Sequence, residues 1–352
     1  MEDLGTRLLV KVAQMYHLQG LNQDQIGRQI GVSRSKVSRL LKEARERGLV
    51  EVSIHYPARF SLDLERRLES ELGLREAVVV NVGVGDVLGS HGVSSIAGAA
   101  SDYVLRILKR GDVLGVSGGE TTSVMAQLMP ASAVDNVTVV QLGTAVAYLG
   151  DRAAYSSAEV ALQIAQKLGS LDRLVLIPVP FLLDSESIRD ALLRDTGVKR
   201  AMARLGSCTV AIVGIGALDS ASNTGTNGYA QSRSRRGQVL PVTEDDLAEL
   251  RQVGAVGEIC TRFFDEDGRA CMTALDRRMV AIELNDFRAV PVVIGVAAGR
   301  HKAHAILGAI RGGYIKSLVT DDVTAREVLA LACMESSQVS ALVNSAGVPA
   351  GR

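Results

Sequence analysis

Over the first fifty residues the apolar positions recur at helical spacing. Leu8, Leu9, Val12, Met15 and Tyr16 mark a first helix over 6–18, and Gly20 ends it. Asn22 is placed to cap a second helix, in which Ile26 and Ile30 face inward four residues apart. Gly31-Val32-Ser33 makes a tight turn. Ser33 is then the natural N-cap of a third helix over 34–47, with Val37, Leu40, Leu41 and Ala44 as its buried stripe and Gly48 as its stop. Residues 50–54 alternate as a short strand, and Pro57 leads out of the module. Leucines at 64, 68 and 72 give the charged segment 61–72 the stripe of a connecting or dimer-facing helix.

From Glu76 the pattern turns to alternating strands and helices. Strands are expected at 77–81, 113–117, 137–142, 174–179, 209–215, 280–284, 292–296 and 318–320. Several are unbroken apolar runs, which indicates strands covered on both faces of a mainly parallel sheet. Helices are expected at 156–168, 245–252 and 303–311, and Thr324 with Glu327 has capping-box spacing before a last helix over 325–334. The fold class is therefore α/β: an N-terminal winged helix-turn-helix followed by a larger Rossmann-like parallel-sheet domain. The expected domains are 1–56 as the helix-turn-helix module, 57–75 as linker or connecting helix, 76–335 as the parallel-sheet domain, and 336–352 as a tail of small residues expected to be mobile.

Composition narrows the class. Apolar residues make up 47% of the 352 and charged residues 22%, the balance of a soluble globular protein. The longest apolar stretches are short and contain proline, and no basic segment precedes an apolar core, so a cytoplasmic location without a membrane partner is expected. Cys208, Cys260, Cys271 and Cys333 are widely separated among apolar neighbours, which reads as buried reduced thiols; no metal site and no cofactor are expected. The net charge of zero conceals an asymmetry: up to Phe60 there are 10 Lys/Arg against 6 Asp/Glu. A basic small module on a slightly acidic large one confines contact with a polyanion to the first.

The third helix opens with Arg34, Ser35, Lys36, Ser38 and Arg39 behind Ser33, and a recognition helix points its first two turns into the major groove of double-stranded operator DNA. Arg and Lys bond guanine edges or phosphates there, and Ser serves bases or backbone.

In a doubly wound sheet, ligands bind where strands run out into helix N-termini, and three segments fit that position. In the first, Ser117-Gly118-Gly119 leads to Thr121 and Thr122; it is either a phosphate cradle of backbone N–H groups and hydroxyls or a plain tight turn. It is neither a dinucleotide fingerprint nor a Walker loop. In the second, 295–303, Lys302 stands in the first turn of a helix, where a cation is disfavoured unless an anion lies near it; otherwise it is a solvated lysine. His301 and His304 read as surface groups. In the third, 254–260, small residues surround Glu258, an acceptor for sugar hydroxyls or an ordinary exposed acid.

Taken together, LNQDQIGRQIGVSRSKVSRLLKEARERGLVEVSI (21–54), DVLGVSGGETT, CTVAIVGIGAL, GAVGEICTRFFDEDG and VVIGVAAGRHKAHAILGAIRGGYIKSLVTDDVTA resemble the SorC (SorC/DeoR-like) sugar-binding regulators, in family order from Leu8 to about Leu331. The resemblance implies a sensing domain of the glucosamine-6-phosphate deaminase/ribose-5-phosphate isomerase type, with a sugar phosphate or a sugar or polyol as effector. It also implies that Thr121 and Thr122, with the preceding glycines, hold the phosphate, that Lys302 lies against the same ligand, that Glu258 takes hydroxyls, and that Gly143 and Thr144 line the pocket. Dimers or tetramers follow the same resemblance; repression relieved by the sugar is the commoner logic for such a switch, with activation as the alternative. Gly118 stands where many relatives have tryptophan, and Gly143-Thr144 where several have Gly-Gly or Arg-Gly, so the effector's identity does not carry over.

The rival is a sugar-phosphate isomerase or deaminase with an accessory helical domain. It needs an acid and a base converging on the sugar, for which Glu258, Asp265, Asp321 and Asp322 are available. The basic cluster from Arg233 to Gly237 is expected as a solvated loop.

Overall fold

In a computed structural model of the chain, the described residues are 4–50, 59–82, 90–132, 134–143, 156–218 and 242–345. They divide into two units, Met1–Pro57 and Ala58–Arg352. No helix among the described residues is long and apolar enough to cross a membrane.

The small unit holds α1 (Leu4–His17), α2 (Gln23–Ile30) and α3 (Arg34–Glu46). Asn22 and Gln25 form a reciprocal capping box at the start of α2, each side chain taking the other's backbone N–H at 2.9 Å. Gly31 follows in the left-handed region at φ 72°, and Ser33 caps α3 by accepting the Lys36 N–H. Leu9, Val12, Ile26, Val37, Leu40 and Ala44 are buried together, while Ile30 and Leu41 pack at the margin of that core. The expected wing strand lies outside the described residues from position 51.

Gly27 explains how α2 and the turn fit so closely. A Cβ there would stand 2.7 Å from the Val32 carbonyl oxygen, a backbone atom that cannot swing aside. We expect Gly27→Ala to cost about 1–3 kcal/mol through overpacking. Alanine's better helix propensity offsets this by at most about 1 kcal/mol. The check is a lower melting temperature for the full chain, together with weaker DNA binding.

The large unit adds α4 (Leu62–Leu72), β1 (Glu76–Val80), α5 (Ser90–Ile107), β2 (Val113–Val116), α6 (Glu120–Leu128), β3 (Thr138–Gln141), α7 (Ser157–Lys167), β4 (Leu174–Val175), α8 (Glu186–Arg194), α9 (Thr196–Ala203) and β5 (Val210–Gly214). It continues with β6 (Gly216–Ala217), α10 (Glu244–Gln252), β7 (Ala255–Ile259), β8 (Arg262–Asp265), α11 (Leu284–Ala289), β9 (Val292–Val296), α12 (Ala303–Arg311), β10 (Ser317–Asp321) and α13 (Asp322–Ser345). Seven strands pair in parallel in the order β1-β10-β9-β5-β2-β3-β4. Alternate residues of one strand enter different cores: Val210 and Ile212 pack with α5, α6 and α7, while Ala211 and Val213 pack with α4, α12 and α13. Both faces are therefore covered, and the strands read as continuous apolar runs.

The structure departs from the sequence expectations in several places. Residues 280–284 form no strand: Val280 N–H bonds Phe181, Ile282 N–H bonds Leu142, and Ala281 makes a single bridge to Gly143, so no ladder develops before α11 starts at Leu284. The run 174–179 keeps only two strand residues, since Pro178 and Pro180 offer no N–H and the Ile177 N–H goes to the Gln141 side chain. The last helix starts earlier than expected, because Asp321, and not Thr324, caps it by accepting the Thr324 N–H at 2.7 Å, and it continues to Ser345, into the segment expected from position 336 as a mobile tail. Strands β6, β7 and β8 form a second, antiparallel sheet that the expected strands do not include. Helix α4, expected as part of a linker, buries Leu64 and Leu68 in the core of the large unit.

The four cysteines form no disulfide; Cys208 and Cys271 are buried, Cys260 is half-buried, and Cys333 is exposed, against expectation, on α13. Burial pushes the Cys208 thiol up to about 12 and Cys271 to about 11, so neither is a ready nucleophile.

Candidate functional site

On the small unit, Arg34, Ser35, Lys36, Ser38 and Arg39 all stand exposed on the first turns of α3. Ser33 is exposed but occupied: its hydroxyl caps Lys36 N–H at 3.3 Å and lies 3.0 Å from the Ser35 hydroxyl. The Arg34 guanidinium reaches only to within 3.9 Å of Asp24, with both side chains largely in solvent. Arg39 donates a long hydrogen bond of 3.4 Å to the Ser35 carbonyl. Both cations are therefore held loosely and are free to meet a polyanion.

In the large unit every strand of the main sheet ends at one edge. There β2 runs through Ser117, Gly118 and Gly119 into α6, and β9 runs through a short 3-10 turn at Arg300–Lys302 into α12. Buried Ser117 accepts the Gly214 N–H at 2.9 Å and so ties this loop to the end of β5. Thr122 is buried and donates to the Gly119 carbonyl at 3.1 Å, whereas the hydroxyl of half-buried Thr121 makes no hydrogen bond among the described residues. The Gly143 carbonyl accepts from the Ser157 hydroxyl at 2.6 Å. Thr144 and the cluster from Arg233 to Gly237 lie outside the described residues.

The three segments singled out in the sequence come together at this edge. Glu258 is the fourth residue of β7, and Gly257 allows that strand to lie against α12: a Cβ there would stand 2.6 Å from the Ala305 Cβ. The Glu258 carboxylate accepts the Thr261 N–H at 2.8 Å, in a tight hairpin where Cys260 and Thr261 both have positive φ (50° and 67°). Burial pushes Glu258 above the usual carboxylate range, partly offset by that N–H and by the charge of Lys302. Burial likewise lowers Lys302, against the pull of Glu258 and then of Glu120, the first residue of α6. The Lys302 ammonium makes neither a hydrogen bond nor an ion pair within 4.0 Å among the described residues. A partly desolvated ammonium thus stands between three chain segments with its hydrogen-bonding capacity unused.

Sequence reasoning missed Glu120, Thr261 and Gly257. The alternation of buried Ala255, Gly257 and Ile259 with Val256 and Glu258 was a readable strand signal. Other acids offered for catalysis are engaged elsewhere: Asp265 accepts the Arg269 N–H, Asp321 accepts Thr324 and Gly299, and Asp322 accepts Val82. His304 pairs with Glu266 on the surface.

Residues 56–330 match the family model "Putative sugar-binding domain", and residues 11–47 match Sigma-70, region 4. The chain is 33% identical over 325 residues to the sorbitol operon regulator of Klebsiella pneumoniae, covering 92% of this chain and 98% of that protein. It is 31% identical over 324 residues to the deoxyribonucleoside regulator of Bacillus subtilis, covering 92% and 97%. The crystal structure of the full-length sorbitol operon regulator SorC from Klebsiella pneumoniae superposes with a TM-score of 0.66 at 31% identity, over 92% of this chain and 99% of that one.

Proposed function

We infer the following from a chain that belongs to the SorC family of DNA-binding, sugar-responsive transcription regulators. It is a switch in a carbohydrate operon, working in the cytoplasm as a homodimer or tetramer. The exposed start of α3 reads double-stranded operator DNA, and a small sugar, phosphorylated or a polyol, occupies the edge of the parallel sheet. The observation that supports this reading most is the meeting of Lys302, Glu258 and the start of α6. Lys302 attracts the anionic end of the effector, the Gly118-Gly119 loop and Thr121 receive its oxygens, and Glu258 takes hydroxyls. Three of the acids offered for catalysis, Asp265, Asp321 and Asp322, are committed to backbone N–H groups, and sensing needs only that the sugar bind two DNA-affinity states unequally.

The test is binding of the full chain to its own upstream DNA at fixed salt, with and without glucose 6-phosphate, fructose 6-phosphate, ribose 5-phosphate and sorbitol 6-phosphate. We expect sequence-specific binding that changes with one of these compounds. Turnover of a sugar phosphate, with no specific DNA binding under any condition, would overturn the reading.

A further inference from the structure

The turn that carries Lys302 is joined by an unbroken set of short contacts to the chain that leads from the DNA-binding unit. Gly299 N–H donates to the Thr324 hydroxyl at 2.7 Å and to Asp321 Oδ2 at 3.2 Å. Arg300 donates from Nη2 to Glu327 at 2.6 Å, one turn further along α13. On the next residue after Asp321, Asp322 accepts the Val82 N–H at 3.2 Å, just past the end of β1. The end of β1 is in turn bonded to residues 59–61: Ser61 N–H donates to the Val79 carbonyl at 2.9 Å, and Asn81 N–H to the Arg59 carbonyl at 2.7 Å. The Asn81 side chain adds a bond to the Phe60 carbonyl at 3.0 Å.

Capping α13 accounts for only one of the two carboxylates. Asp321 alone satisfies the Thr324 N–H, as an N-cap should. Asp322 is not needed for that, yet it is buried, 8% exposed; one of its oxygens takes Arg326 on its own helix at 2.7 Å, and the other spans to Val82, past the end of β1. Adjacent acids on one helical turn therefore grip two separate backbone segments, one on the effector side and one on the linker side. Buried hydrogen bonds between packed elements shift together more readily than they stretch singly, so a displacement at one grip reaches the other.

We propose that the first turn of α13, through Asp321, Asp322 and Thr324, transmits effector occupancy at the Gly299–Lys302 turn to residues 59–61, and so to the DNA-binding unit that precedes them in sequence. The proposal rests on the functional reading above, with these three as positioning residues that touch neither sugar nor DNA. Closure of Lys302 on a ligand drags the turn, because its own N–H is bonded to the Gly299 carbonyl at 2.9 Å. The pull rotates the start of α13 and alters the pairing of Val79–Asn81 with 59–61.

Reciprocity gives a test that needs no ligand. In the full chain, hydrogen exchange is measured at the Val82 amide in Thr324→Val and at the Gly299 amide in Asp322→Ala. Each variant breaks one grip, and the amide at the opposite grip is expected to exchange at least about tenfold faster, while β2 and β5 keep their wild-type rates. Unchanged rates at the opposite grip would overturn the proposal, and so would uniform acceleration, which signals plain destabilisation. A second arm uses the sugar phosphate that responds in the DNA assay. Asp322→Ala is expected to bind it within about threefold of wild type, while its effect on DNA affinity falls below about twofold. An undiminished effect would sink the relay. A wild-type chain that responds to none of the four compounds would sink the functional reading and leave the exchange result to judge the relay.

Discussion

Replacing both Arg34 and Arg39 with alanine is expected to weaken specific DNA binding by about 30-fold to 10⁴-fold, at about 1–3 kcal/mol for each bidentate pairing with a base edge that is removed. The melting temperature should stay where it is. Arg34 has only an exposed 3.9 Å approach to Asp24, a pairing that contributes little to stability. Arg39 gives up one long bond to a backbone carbonyl. Neither belongs to the core of Leu9, Val12, Ile26, Val37, Leu40 and Ala44 that holds the three helices together. Fluorescence anisotropy with the upstream duplex separates the two roles such residues can play. A phosphate contact weakens all sequences alike and lowers the salt slope by about one per cation, whereas a base contact relaxes specificity at one position. Arg45→Ala, in the last turn of α3, is the matched control and should bind as wild type. Equal losses in the control would mean that bulk charge, and not the start of α3, carries the affinity.

How far the sequence reveals this molecule depends on how local the cause of each feature is. The helix-turn-helix was legible almost to the residue because its determinants lie within four positions of one another: the Asn22 box, Gly31 and the Ser33 cap. The parallel strands were legible because burial on both faces leaves an unbroken apolar run. Residues 280–284 carry the same signal without being a strand, since burial between other elements makes the same run as a ladder does. The cap on α13 was misread because Thr324 and Glu327 have the right spacing, whereas Asp321 lies inside what reads as a strand end. The site divides the same way. Gly118, Gly119, Thr121, Thr122, Glu258 and Lys302 are recognisable one segment at a time from residue type and place. That Glu258 and Glu120 share Lys302 depends on a second sheet packing on α12 at Gly257, a contact between distant parts of the chain with no local mark.

Lys302 gives a prediction in which function and stability move in opposite directions. Its ammonium is lowered by burial, so the folded chain disfavours the charge, and no hydrogen bond among the described residues compensates it. Lys302→Met keeps the length of the side chain and removes that penalty, so the melting temperature should hold or rise. An anionic effector loses its cation, at roughly 2–5 kcal/mol for a desolvated charge pair, which is about 30- to several-thousand-fold in affinity. DNA binding in the absence of effector should be unchanged, leaving a regulator that no longer responds. A pH series adds an independent sign. An anion bound beside Lys302 raises the pKa that burial has lowered, so binding takes up a proton and affinity falls as pH rises through the free-state pKa. Glu258, raised by burial, works in the same direction at lower pH, because its charged form repels the anion. The series is best run above about pH 7, where the phosphate's own second ionisation is complete. Calorimetric titration should show this slope in the wild type and a flat profile in Lys302→Met. If the Met variant kept its response and its slope, the effector's anionic end would lie elsewhere on the sheet edge, and the Gly118-Gly119 loop with Thr121 would have to hold it unaided.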